Sequence, residues 1–200
     1  MADSDGKRPG EVYTDAEMAA LLTQCSRRAP TGIRDRALLT VIYRTGIRIH
    51  EALDLRASDI DFTHGSLRVR HGKGDKARTV GIGDGALAVL QLWLEKRREL
   101  GLARRGSYVF TTLAGKRMSY SHADSMLKRR AAKAGFEKRA HLHGLRHSYA
   151  HEANIVRRVP VTVIQQQLGH DHLSTTSIYL NHIAPEDVIA AGRADTWADG

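Results

Sequence analysis

Apolar residues recur at helical spacing along most of this chain, and the rhythm changes once, before the midpoint, to strict alternation. Thr14-Asp15-Ala16-Glu17 is a capping-box pattern. It predicts a helix running through Met18, Leu21, Leu22 and Cys25, with Pro30 beyond its end. Ile33, Ala37, Leu38, Val41 and Ile42 predict a second helix that stops near Gly46, and Ile47 to Leu53 a short third one ending before Ser58-Asp59-Ile60. From Ser66 the period becomes two. Leu67 and Val69 alternate with Arg68 and Arg70, the glycine-rich stretch His71 to Lys76 follows, and Arg78-Thr79-Val80-Gly81-Ile82 resumes the alternation. That is a hairpin with basic residues at its tip. Ala86 to Leu100 returns to helix, with the basic run Lys96-Arg97-Arg98 on its outer side, and Tyr108-Val109-Phe110 is a short strand candidate. Another helix runs from Ser121 to Gly135 and carries Lys128-Arg129-Arg130 and Lys133. The final third is helical: Leu142 to Ile155, Pro160 to Leu168, a helix capped by Ser174-Thr175-Thr176 that bears Tyr179, and a last short one from Pro185. The fold class expected is mainly α with a small antiparallel β hairpin or sheet (α+β).

Composition narrows the class of partner. Two hundred residues suit one domain, and 42% hydrophobic with 26% charged residues is ordinary for a globular protein. The net charge of +9 is not ordinary. It points to a polyanion, nucleic acid before an anionic membrane surface, although a generally basic surface accounts for the charge equally well. The single cysteine, Cys25, excludes an intramolecular disulfide framework and a cysteine zinc site. No apolar run approaches the roughly 18 residues of a membrane span, and the polar start lacks a signal-peptide core. A cytoplasmic, nucleoid-associated location is expected, with no membrane partner. Residues 1–11 are expected to be a disordered leader or linker remnant, 12–184 the main domain, and 185–200 a terminal helix and tail.

The candidate chemistry gathers in the last third. His141-Leu142-His143-Gly144-Leu145-Arg146-His147, then Leu168-Gly169-His170, then Tyr179 supply imidazoles, a guanidinium and a phenol. Covalent attack on a phosphodiester needs a nucleophile, cations on the non-bridging oxygens, an acid for the leaving oxygen and a base near the nucleophile. Arginine suits the second role because its planar fork binds two phosphate oxygens and keeps its proton. Arg146 stands one helical turn after His143, on the same face. Alone, this pair would more often be a solvated helix face. Arg48, just past the Thr45-Gly46 helix stop, and Lys73, between two glycines at the hairpin tip, raise it. Lys76 competes with Lys73, and Tyr149 with Tyr179, although Tyr149 lies within a helix and reads as core.

Four blocks, namely Thr45 to Leu53, Gly72 to Arg78, His143 to His147, and Leu168-Gly169-His170 through Tyr179, resemble in order and spacing the tyrosine recombinase, or phage integrase, family, most nearly its Xer-type members. The resemblance covers about Val12 to Val188. It implies that Tyr179 is the nucleophile, forming a 3′-phosphotyrosyl link to DNA. It implies that Arg48 and Arg146 clamp the scissile phosphate and that Lys73 protonates the leaving 5′-oxygen. His143 would assist proton transfer at the tyrosine, His170 would support the phosphate, and Glu51 would be an orienting residue behind the site. Lys76, Arg78, Lys128, Arg129 and His147 are expected to contact DNA. The chemistry is isoenergetic, so no cofactor and no metal is called for; His141, His143 and His147 lack a carboxylate or cysteine to complete a zinc set.

The resemblance also implies an N-terminal helical domain, for which only about ten residues stand ahead of Val12. Either the chain is a catalytic domain cut from a longer protein or it is a single-domain form, and weak, salt-sensitive binding to double-stranded DNA is expected of it. The implied assembly is a homo-tetramer on DNA, a monomer when free, with accessory recombination proteins as further partners. The tail from Pro185 would dock on a neighbouring subunit or fold back on its own domain. Two alternatives to recombination are a DNA-binding regulatory relic without cleavage and a type IB topoisomerase-like activity.

Overall fold

Helix α2 (Pro30–Thr45) is the axis of the computed structural model, which describes residues 12–70 and 77–169. Lys73, Lys76, His170, Tyr179 and the helices expected after residue 169 lie outside the described residues. Pro30 opens α2 at a position whose N–H would have no helical partner, and Gly46 closes it in the left-handed conformation at φ 68°. Between them Ala37, Leu38, Leu39, Val41, Ile42 and Tyr43 are all buried, so α2 is apolar on nearly every side. Its neighbours cover it: α1 (Asp15–Thr23), α4 (Asp84–Glu99), α5 (Tyr120–Lys133) and α6 (Leu142–His151) contribute Leu21, Leu90, Trp93, Leu127 and Leu145 to one core.

A cluster of charged groups lies inside that core. Arg34 and Asp35 are 3% and 2% exposed, and they pair at 2.7 Å. Arg130 of α5 closes on the other oxygen of Asp35 at 3.0 Å, tying α5 to α2. A buried carboxylate is tolerated because two guanidiniums replace its water.

The structure is mainly α with a small antiparallel sheet of order β1-β2-β3: β1 (Ile60–Asp61), β2 (Ser66–Val69) and β3 (Arg78–Gly81). Leu67 stands opposite Val80 and Arg68 opposite Thr79, which puts Leu67, Val69 and Val80 on the buried face as the alternation predicts. The two-residue strand β1 is too short to show a period. The capping box at Thr14 forms as expected, with the Glu17 N–H donating to Thr14 Oγ1 and the Thr14 N–H to Glu17 Oε2.

Four expectations need correcting. Tyr108-Val109-Phe110 is not a strand; Tyr108 makes only an isolated bridge to Arg56. Its backbone groups are spent elsewhere: the Val109 N–H donates to Leu55 O at 2.7 Å, and Val109 O accepts from the indole of Trp93 at 2.9 Å. Arg97 does not lie on an outer face. It is 2% exposed, with Nη2 donating to Leu102 O and Ser107 Oγ, so it closes the loop after α4. The helix from Leu142 does not run evenly to Ile155: α6 ends at His151, and Glu152–Val156 follows as a π-helical turn before α7 (Val161–Leu168). The short third helix α3 (Ile49–Asp54) starts two residues later than the apolar pattern predicts, because Arg48 is its N-cap.

Gly46 is required twice over. Besides its positive φ, a Cβ there would sit 2.5 Å from Tyr149 Cδ1 and 2.7 Å from Leu168 Cδ2. Left-handed strain of about 1–3 kcal/mol and overpacking of about 1–3 kcal/mol then act together. Urea unfolding of Gly46→Ala is expected to show a loss of about 2–5 kcal/mol at unchanged m; a loss below about 0.5 kcal/mol would contradict this packing.

Candidate active site

Helix α7 ends at Gly169, in the left-handed conformation at φ 66°, leaving carbonyls without helical partners. Three arginines from three other parts of the chain take them in succession. Arg78 Nε donates to Gln167 O at 3.3 Å, Arg146 Nη2 to Leu168 O at 2.8 Å, and Arg48 Nη2 to Gly169 O at 3.2 Å. The C-terminal end of a helix is its negative pole, so cations belong there.

Each arginine arrives by a different local route. Arg48 is placed by the stop at Gly46 and the start of α3, where Glu51 returns to the N-cap and accepts from the Arg48 N–H at 2.7 Å. Arg146 comes from the buried face of α6, is 2% exposed, and also donates through Nη1 to Gly46 O at 2.6 Å. Arg78 is the first residue of β3, at the foot of the hairpin.

Glu51 binds the cluster together. Its two oxygens accept Arg78 Nη1 and Nη2, both at 2.8 Å, and Oε1 also accepts Arg48 Nη1 at 2.9 Å. The carboxylate is 4% exposed, and although burial pushes its pKa up, the bond from Arg78 and that from the Arg48 backbone outweigh it, so the pKa is lowered. Gln167 adds a second tie. Its Oε1 accepts the Gly81 N–H at 2.9 Å and its Nε2 donates to Gly81 O at 2.8 Å and Thr45 O at 3.2 Å.

The histidines of α6 sit beside this cluster. His141 is the N-cap, its Nδ1 accepting the Gly144 N–H at 2.9 Å. Tyr13 fastens that end: its hydroxyl donates to His141 O at 3.0 Å and accepts the His141 N–H at 2.8 Å, while the Tyr13 N–H reaches Ser148 Oγ at 2.6 Å. His143 is exposed, and the ring of His147 meets it edge-on at 4.3 Å. Both are held toward the neutral form. Loss of hydration is the main cause for each; Arg146 adds to it at His143, and His143 adds to it at His147, whose pKa falls to about 4.

The structure therefore brings together Arg48, Arg146, Glu51 and Arg78, with His143 one turn before Arg146. Lys128 and Arg129 stand apart on α5, both exposed, with Lys128 paired to Asp124 at 2.6 Å. Tyr149 is buried, 6% exposed, with the Arg157 guanidinium over its ring. Three residues that hold this site carry no sequence signal as functional groups: Gln167, Tyr13, and Arg78 in its pairing with Glu51. Among the described residues, no group of three His, Cys, Asp or Glu converges as a metal site would, and no helix is long and apolar enough to cross a membrane.

A pair of arginines on a shared platform, Arg146 buried and Arg48 partly open to solvent, with a neutral imidazole beside it, is chemistry for a phosphodiester. The model of the phage integrase family matches residues 11–185. The chain belongs to that family. It is 39% identical over 165 residues to the tyrosine recombinase XerC of Xanthomonas axonopodis pv. citri, covering 82% of this chain and 52% of that protein. The chain spans about half the length of the curated relatives it matches. Among solved structures it is similar to the XerA recombinase, with a TM-score of 0.76, 28% identity, and 92% of this chain against 64% of that one. It is also similar to the XerH site-specific recombinase bound to palindromic difH substrate in a post-cleavage complex, with a TM-score of 0.77, 26% identity, and 96% of this chain against 55% of that one.

The histidine pair makes stability depend on pH. In the unfolded chain an imidazole titrates near its ordinary value of 6.5, whereas His147 in the fold titrates at about 4. The unfolded state then binds more protons between these values, so the stability is complete above 6.5 and is lost as pH falls toward 4. Urea unfolding of wild type and His147→Gln at pH 7 and pH 5 is expected to show a smaller pH loss in the variant. Equal losses in the two proteins would contradict the assignment.

Proposed function

We propose that this chain is the catalytic domain of a site-specific DNA recombinase that cuts and rejoins one strand through a 3′-phosphotyrosyl intermediate. The observation that carries the reading is the pair Arg48 and Arg146, fixed on consecutive carbonyls at the end of α7. Two forks held side by side suit the two non-bridging oxygens of one phosphate. Donors fixed in place before the reaction stabilise the charge of a pentacovalent phosphorus more than mobile ones do. The post-cleavage DNA complex of XerH, similar in fold at 26% identity, supports duplex DNA as the partner.

In this reading Tyr179 attacks phosphorus, His143 takes or returns its proton, and Lys73 protonates the departing 5′-oxygen. His170, next in the chain after Gly169, supports the phosphate. One phosphoester replaces another, so the step needs neither ATP nor a metal. His143, held neutral below its ordinary pKa, is ready to accept a proton near pH 7. Lys76, Lys128, Arg129 and His147 contact the duplex, residues 12–184 form the catalytic domain, and residues 185–200 serve subunit docking. The working assembly is a homo-tetramer on DNA, formed from free monomers with accessory recombination proteins, in the cytoplasm at the nucleoid.

A nicked suicide substrate carrying the recombination site tests this. Wild type is expected to form a covalent, protease-sensitive adduct, absent in Tyr179→Phe and slowed by about 10²–10³-fold in Arg146→Ala. DNA binding without an adduct in wild type would leave a binding module. Relaxation of supercoiled plasmid by the monomer, without strand exchange between sites, would indicate a topoisomerase instead.

A further inference from the structure

Arg78 was expected from the sequence to contact DNA; in the fold its fork is paired with the Glu51 carboxylate. All three guanidinium nitrogens have protein acceptors: Nη1 and Nη2 on the two oxygens of Glu51, at 2.8 Å each, and Nε on Gln167 O at 3.3 Å. The side chain is 14% exposed. Its upper face is roofed by backbone, because a Cβ on Gly169 would lie 2.8 Å from Arg78 Cζ and Nε. Gly169 is thus a glycine both for its positive φ and for its approach to this guanidinium.

The acceptor that Arg78 fills is the one that orients Arg48. Glu51 Oε1 receives Arg78 Nη1 and Arg48 Nη1, and Oε2 receives Arg78 Nη2 and the Arg48 backbone N–H. Without Arg78, a carboxylate that is 4% exposed would face Arg48 alone. It would draw the Arg48 guanidinium into a two-point pairing and away from Gly169 O. Arg78 also stands at the foot of β3, where Gln167 grips Gly81 through both backbone groups. The hairpin that carries Lys73 is therefore fastened to α7 at two points on one strand.

We infer that Arg78 is a positioning residue for the cleavage step, saturating Glu51 so that Arg48 stays aimed at phosphate and docking the hairpin strand on the end of α7, and that it is not a DNA contact. This inference rests on the recombinase reading above.

The test compares wild type, Arg78→Ala, Arg78→Lys and Glu51→Gln on the nicked substrate. It measures the single-turnover rate of adduct formation at saturating DNA, and DNA affinity across a salt series. Arg78→Ala is expected to slow cleavage about a hundredfold, as a misplaced binding group does, while the slope of log affinity against log salt stays at the wild-type value. Arg78→Lys, which keeps the charge but only one point of attachment, is expected to recover part of the rate. Glu51→Gln, an isosteric change that reports even if Arg78→Ala fails to fold, is expected to slow cleavage by a similar factor, again with the salt slope unchanged. A slope reduced by about 0.9 in Arg78→Ala, or a cleavage rate restored by saturating DNA, would mark Arg78 as a phosphate contact and overturn the inference. A wild type that forms no adduct would bring down the recombinase reading, and this inference with it; a defect confined to binding in the variants would bring down this inference alone.

Discussion

Three guanidiniums meet one helix end. The carbonyls of Gln167, Leu168 and Gly169 are left over when α7 stops, and Arg78, Arg146 and Arg48 take one each. Like charges this close repel, so the cluster forms only because the helix end is negative and Glu51 stands among them. Three positive charges and one negative leave two positive charges at the site. In the proposed reading, that surplus is what the scissile phosphate neutralises. The same contacts join α3, β3, α6 and α7, segments that come from both halves of the chain.

The supports of this platform are ordinary structural devices put to one purpose. Gly46 stops α2, offers its carbonyl to Arg146, and is bare enough for Tyr149 and Leu168 to close over it. Gln167 uses one amide to hold Gly81 and Thr45. Tyr13 fixes the start of α6, and with it the side on which His143 emerges. Each contact is a modest hydrogen bond of about 0.5–1.5 kcal/mol. Together they hold the arginines, and breaking one loosens the others. His143 and His147 stay neutral mainly because the fold strips their hydration, and the cations beside them add to that.

Much of this was legible in the sequence. The capping box, the stop at Gly46, the hairpin alternation and the helices that open at Leu142 and just after Pro160 are local signals, written in residues a few positions apart. Arg48 stood out by its place at a helix stop and His143 with Arg146 by their turn spacing, a weak signal alone, while Glu51 was reached through the resemblance to the tyrosine recombinases. What could not be read is long-range. Arg78 and Glu51 are 27 residues apart and Gln167 lies 86 from Gly81, and nothing local distinguishes these from surface polar residues. Arg97 looked like one of three solvent-facing cations, yet the loop after α4 needed its donors. Tyr108 to Phe110 had strand-forming residues, but among the described residues they find only the isolated bridge to Arg56 and no strand to pair with.

The central claim is that Arg48 and Arg146 share one platform and are not two independent sites. A double-mutant cycle in urea unfolding, with Arg48→Met, Arg146→Met and the pair, measures that directly. If the end of α7 holds both, the coupling energy should be about 1 kcal/mol or more, because losing one arginine already frees the carbonyls that position the other. Additivity within about 0.5 kcal/mol would mean that each arginine is held by its own segment alone, and the shared platform would be refuted.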